Sequence, residues 1–189
     1  MRFARLPFLL TVLFASSGLL GACGDDPLFP EVRLSVDTVT LTVPGGTAPS
    51  AIDLVRIQPP FTILRRPELV QDAGEWDVAL RATEAGGLVL RPFGQPGSPL
   101  RGAGLLATTR DYDSIDEAPR TVSAYLGDPV PATVGAVYFI RSRQYPAGGG
   151  GLCVNYAKAK VLAVDAAAGT AQLALTINDN CDDERLEED

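Results

Sequence analysis

The sequence predicts an all-β fold: a single β-sandwich or partly open barrel of short antiparallel strands, ending in a hairpin and preceded by a signal helix. Three observations carry this expectation. Short runs of alternating apolar and polar residues, rich in Val, Leu, Ile and Thr, recur along the chain. Glycine and proline, 19 and 15 of 189 residues, gather between most of these runs, where turns belong. Amphipathic helical periodicity is missing; residues 68–73 offer at most one turn, and no internal repeat is visible.

At the N-terminus, Arg2 and Arg5 precede an uncharged apolar run over residues 6–20. That run is shorter than the about 20 residues a spanning helix needs. A basic start, a short apolar stretch and a small-residue cleavage site describe a secretory signal. The run ends in Leu20-Gly21-Ala22-Cys23, which resembles the lipobox of bacterial lipoproteins. The resemblance implies cleavage before Cys23, a diacylglycerol on its thiol and acylation of the freed amine. Each buried methylene contributes about 0.8 kcal/mol, so two or three acyl chains make a lasting anchor. The expected organisation is a signal peptide over 1–22, a lipidated tether over 23–30, a β domain over 31–181 and an acidic disordered tail over 182–189. Gly24 stands where an aspartate would mark inner-membrane retention. This points to the periplasmic face of the outer membrane in a cell that has one.

The first strand alternates as Val32, Leu34, Val36 and then, shifted by one, as Val39, Leu41, Val43; the phase shift predicts a bulge or bend. Pro44-Gly45-Gly46 ends it. Residues 35–43 with Gly45-Gly46-Thr47 resemble the opening strands of bacterial immunoglobulin-like domains, which implies a sandwich and no function. Further strands are expected over 52–57, 76–83, 88–91, 104–108, 120–126 and 134–141. Trp76 reads as a core anchor.

Residues 154–164 and 170–178 flank Asp165-Ala166-Ala167-Ala168-Gly169, a hairpin turn. Centred on Ala167, the register sets Ala157, Ala159 and Val161 opposite Ile177, Leu175 and Leu173 on a core face. Tyr156, Lys158 and Lys160 then lie on the other face, opposite Asn178, Thr176 and Ala174. A four-residue loop ending at Gly169 is the alternative, and it would need a bulge to restore this register. The same register brings Cys153 opposite Cys181. With Cys23 consumed by lipid these two cysteines remain, and an exported protein is expected to join them in a disulfide.

Composition excludes more than it suggests. There is no histidine, so Ser-His-Asp, Cys-His and His-ligated metal sites are impossible. Without Arg2 and Arg5 the chain has 14 basic and 23 acidic side chains, a formal charge of −9, which argues against nucleic acid and against binding anionic lipid head groups through charge. The densest carboxylate cluster is Asp111, Asp113, Asp116 and Glu117. It lacks the glycine and ligand spacing of a calcium loop and reads as a solvated acidic loop, with an irregular metal site as the weaker reading. Gly148 to Gly151 lacks the Lys-Ser/Thr pair of a phosphate loop and reads as a strand connection. Arg65-Arg66 reads as loop surface open to an anion. No cofactor is expected. The functional expectation is a non-catalytic envelope module, bound to the membrane through the lipid on Cys23 and to an envelope protein. The alternatives are a carboxylate-based hydrolase of envelope polymers and a small-ligand carrier.

Overall fold

The computed structural model describes residues 31–55, 63–94, 102–147 and 150–187. Its strands are β1 (Leu34–Thr42), β2 (Ala51–Ile52), β3 (Leu64–Arg65), β4 (Val78–Ala82), β5 (Leu88–Pro92), β6 (Gly104–Thr108), β7 (Val130–Pro131), β8 (Val137–Arg141), β9 (Tyr145–Pro146), β10 (Leu152–Cys153), β11 (Tyr156–Asp165) and β12 (Thr170–Asn178). Short 3₁₀ turns cover Tyr112–Ser114 and Val122–Ala124. One antiparallel sheet has the order β1-β12-β11-β8-β6 and a second the order β3-β2-β4-β5-β7; β9 and β10 pair alone. The two five-stranded sheets pack as a sandwich. The expected signal peptide, tether and Cys23 lie outside the described residues.

The core follows from side-chain alternation. Leu41, Ala157, Ala159, Val161, Leu173, Leu175, Ile177, Ile140 and Leu105 leave the first sheet inward, and Ile52, Val78, Leu80 and Leu90 leave the second. Each fully buried Leu or Ile contributes about 1.5–3 kcal/mol. The expected hairpin register holds from Tyr156↔Asn178 to Val161↔Leu173. Beyond Val161 the four-residue loop takes over, and a bulge between Val161 and Ala163 reconciles the two. Gly169 closes the loop at φ +66°, where a Cβ would also lie 2.6 Å from Val43 Cγ2.

Four expectations about the fold need correction. β1 carries no bulge: its pairing with β12 runs unbroken from Leu34↔Asn178 to Thr42↔Thr170. The phase shift arises because Val39 and Leu41 face the core while Val36 stands on the other face, exposed. Residues 120–126 are not a strand. They hold a 3₁₀ turn, and Leu126 makes only a single bridge to Leu105. Of 52–57, only Ile52 continues β2; residues 56 and 57 lie outside the described residues.

The fourth correction concerns the acidic tail, which belongs to the fold through Glu187. Leu186 is buried in a second apolar cluster with Ile115, Ala118, Tyr125, Val137, Phe139, Val154 and Tyr156. Leu186 N donates to Asp116 O at 2.6 Å, and Ala118 N to Glu184 O at 2.8 Å. This strap and residues 110–126 cover the outer face of the first sheet. Tyr156, Lys158, Thr176 and Asn178 are consequently buried as well. Gly104 allows close approach there: a Cβ on it would fall 2.6 Å from Tyr125 Cβ.

Candidate functional site

β2 pairs antiparallel with β4 through Ile52↔Val78, and the residue after Ile52 and the residue before Val78 are both aspartates. The register therefore sets Asp53 beside Asp77, two like charges that repel unless something sits between them. Arg143, two residues beyond β8, supplies the counter-charge. Its Nη1 donates to Asp53 Oδ1 and Asp77 Oδ2, both at 3.0 Å. Arg65, in β3, donates from Nη2 to Asp53 Oδ2 at 2.9 Å. The backbone completes the shell. Leu54 N and Arg143 N donate to Asp77 at 2.7 Å each, and Val55 N donates to Asp53 at 3.0 Å. Both carboxylates are fully buried, and all four of their oxygens accept.

The electrostatics follow from that geometry. Burial pushes the Asp77 carboxyl up to about 6, against the opposing pull of Arg143. Burial also disfavours the Arg143 charge, but Asp77 and Asp53 outweigh it and hold the guanidinium above its ordinary value. Two aspartates and two arginines balance. The cluster joins β2, β3 and β4 of one sheet to the segment leaving β8 in the other.

Polar contacts continue from this cluster to the cysteines. Asn155 Nδ2 donates to Leu54 O at 2.5 Å, and Asn155 N donates to Ser142 Oγ at 2.9 Å. The Tyr145 hydroxyl donates to Asn155 Oδ1 at 2.6 Å and lies 3.0 Å from the Cys153 sulfur. Cys153 and Cys181 are paired, with Cα atoms 5.4 Å apart. They sit beyond the end of the β11–β12 ladder; Cys153 belongs to β10, which pairs with β9.

The acidic cluster does not converge. Asp111 caps its own 3₁₀ turn by accepting from Asp113 N, and Asp116 accepts from Arg110 at 3.0 Å on the surface. Glu117 lies 3.8 Å from Arg120. The chain points its one apolar member inward instead: Ile115 is buried, and its carbonyl accepts from Lys158 Nζ at 2.8 Å. Burial holds Lys158 below its ordinary range, with its ammonium 4.9 Å from the Tyr112 ring centroid. Among the described residues, the group with metal-ligand proximity is Cys153, Cys181 and Asp182. Its sulfurs are committed to each other and offer no thiolate.

Arg65 corrects the surface reading of the arginine pair, since it is 8% exposed and bonded to Asp53. Its neighbour Arg66 stays half-buried against Glu68 at 3.0 Å. Gly150 and Gly151 belong to the β9–β10 connection, where no helix opens; 148 and 149 lie outside the described residues. Trp76 is buried edge-on against Phe93, 5.1 Å between centroids. Sequence reasoning missed Asp53 and Asp77, yet a signal existed. Each is a lone acid within an apolar run, Ala51-Ile52-Asp53-Leu54-Val55 and Trp76-Asp77-Val78-Ala79-Leu80. Compared with protein-family models, curated proteins and solved structures, the chain matches none.

Proposed function

We propose that the chain is a lipid-anchored β domain of the cell envelope that works as a non-catalytic binding or assembly module. The observation that carries the non-catalytic part is the commitment of every Asp53 and Asp77 oxygen to a donor, out of reach of solvent. A general acid or nucleophile must present an oxygen to substrate, and these present none. The lipobox-like Leu20-Gly21-Ala22-Cys23 supports the anchor.

Membrane fractionation and intact mass of wild type and Cys23→Ser test the anchor. The wild type is expected in the membrane fraction carrying acyl mass, and the variant unprocessed or released. A wild-type mature chain without acyl mass contradicts it. Cross-linking in the native membrane is expected to trap a defined envelope partner. Cleavage of envelope glycans by the purified domain would contradict the non-catalytic reading.

A further inference from the structure

The outer face of the second sheet carries two arginines that make no direct ion pair among the described residues. β4 and β5 pair through Ala79↔Arg91 and Arg81↔Val89, so Arg81 and Arg91 lie on one face as diagonal neighbours. Such positions are separated by about 7–8 Å, within reach of long side chains. Val78, Leu80, Leu88 and Leu90 occupy the opposite, core face. Among the described residues neither guanidinium forms an ion pair, in a chain whose acids outnumber its bases 23 to 16.

Arg81 is also held in place. Its Nη1 donates to Leu80 O at 2.9 Å, and its guanidinium lies 5.9 Å from the Trp76 ring centroid. Burial first, and then the charge of Arg91, disfavour its positive form, while Glu68 favours it. Glu68 itself is occupied by Arg66 at 3.0 Å and Ser50 at 3.0 Å. Arg91 is exposed. Two neighbouring cations, one over the Trp76 ring and one exposed, have no carboxylate within ion-pair distance among the described residues.

We propose that Arg81 and Arg91 form a binding site for a phosphate monoester. A carboxylate carries one charge and satisfies one guanidinium fork. A phosphate monoester carries nearly two, with three acceptor oxygens, and satisfies both. The proposal rests on the reading of the chain as a binding module and gives that module a ligand class. It does not depend on the lipid anchor.

Trp76 is the only tryptophan in the chain and lies under Arg81, so its fluorescence reports occupancy. The purified full chain is titrated with inorganic phosphate, with dihexanoyl phosphatidate as a soluble lipid carrying the same group, and with acetate at matched ionic strength. Saturable change is expected with both phosphates and not with acetate. Arg91→Gln, an exposed position, is expected to weaken the response about tenfold or more while the melting temperature stays unchanged. Tighter binding of phosphatidate would identify a lipid headgroup as the source, and equal binding a free phosphate. No saturable change, an equal response to acetate, or an undiminished response in Arg91→Gln would overturn the site. If cross-linking still traps an envelope partner, only the ligand class is lost and the module reading stands.

Discussion

Two acidic regions of this chain behave in opposite ways. Residues 111–117 hold four carboxylates close together in sequence, and the fold disperses them onto its surface around Ile115. Asp53 and Asp77 are 24 positions apart, and the fold brings both to Arg143 in its interior. Nearness along the chain lets charges remain solvated, whereas a lone acid between apolar strand residues is carried inward with them. Once buried it needs a fixed partner, because an unpaired interior charge costs several kcal/mol.

The comparison breaks most severely at Arg143. Arg143→Gln leaves two buried carboxylates facing each other and is expected to cost about 3–5 kcal/mol, read from urea unfolding. Next comes the disulfide, which closes a separation of 28 residues. Its reduction is expected to cost roughly 3 kcal/mol and lower the melting temperature, while thiol titration of the unreduced fold finds no free cysteine. The same bond fixes the start of the strap that places Leu186 in the second cluster.

Asp77 sharpens the comparison through pH. Its folded value is raised from 3.8 to about 6, so the folded state binds the proton more readily than the unfolded one. The stability this contributes is fully present below about pH 4 and is lost as pH rises through about 6. The stability difference between wild type and Asp77→Asn is therefore expected to shrink from pH 4.5 to pH 7.5. A difference that grows over that range contradicts the assignment. The smallest effect belongs to the other region: Asp113→Ala is expected to change stability by less than about 0.5 kcal/mol, without calcium dependence.

The fold was readable where periodicity was clean. The β11–β12 register and the inward faces of Ala157 to Val161 and of Leu173 to Ile177 follow from alternation within one local hairpin, and extrapolating that register past its ladder brought the paired Cys153 and Cys181 together. What remained hidden depends on contacts distant in sequence. The strap looked like a solvated tail because one leucine among acids carries no period, and its packing needs Ile115 and Tyr125 from elsewhere. Arg65 looked like surface because its partner, Asp53, lies twelve positions away, just past the end of β2. The two-residue strands β2, β3, β7, β9 and β10 are too short to show alternation at all.

A double-mutant cycle on Asp77 and Arg143, measured by urea unfolding at pH 7.5, tests the internal clamp most directly. Asp77→Asn, Arg143→Gln and the double variant are compared with wild type. The two side chains touch at 3.0 Å inside the protein, so their costs are expected to be non-additive by about 1–3 kcal/mol, with the double variant less damaged than the two single costs combined. Additivity within about 0.5 kcal/mol would mean that the pair is not coupled and that the buried cluster does not clamp the sheets.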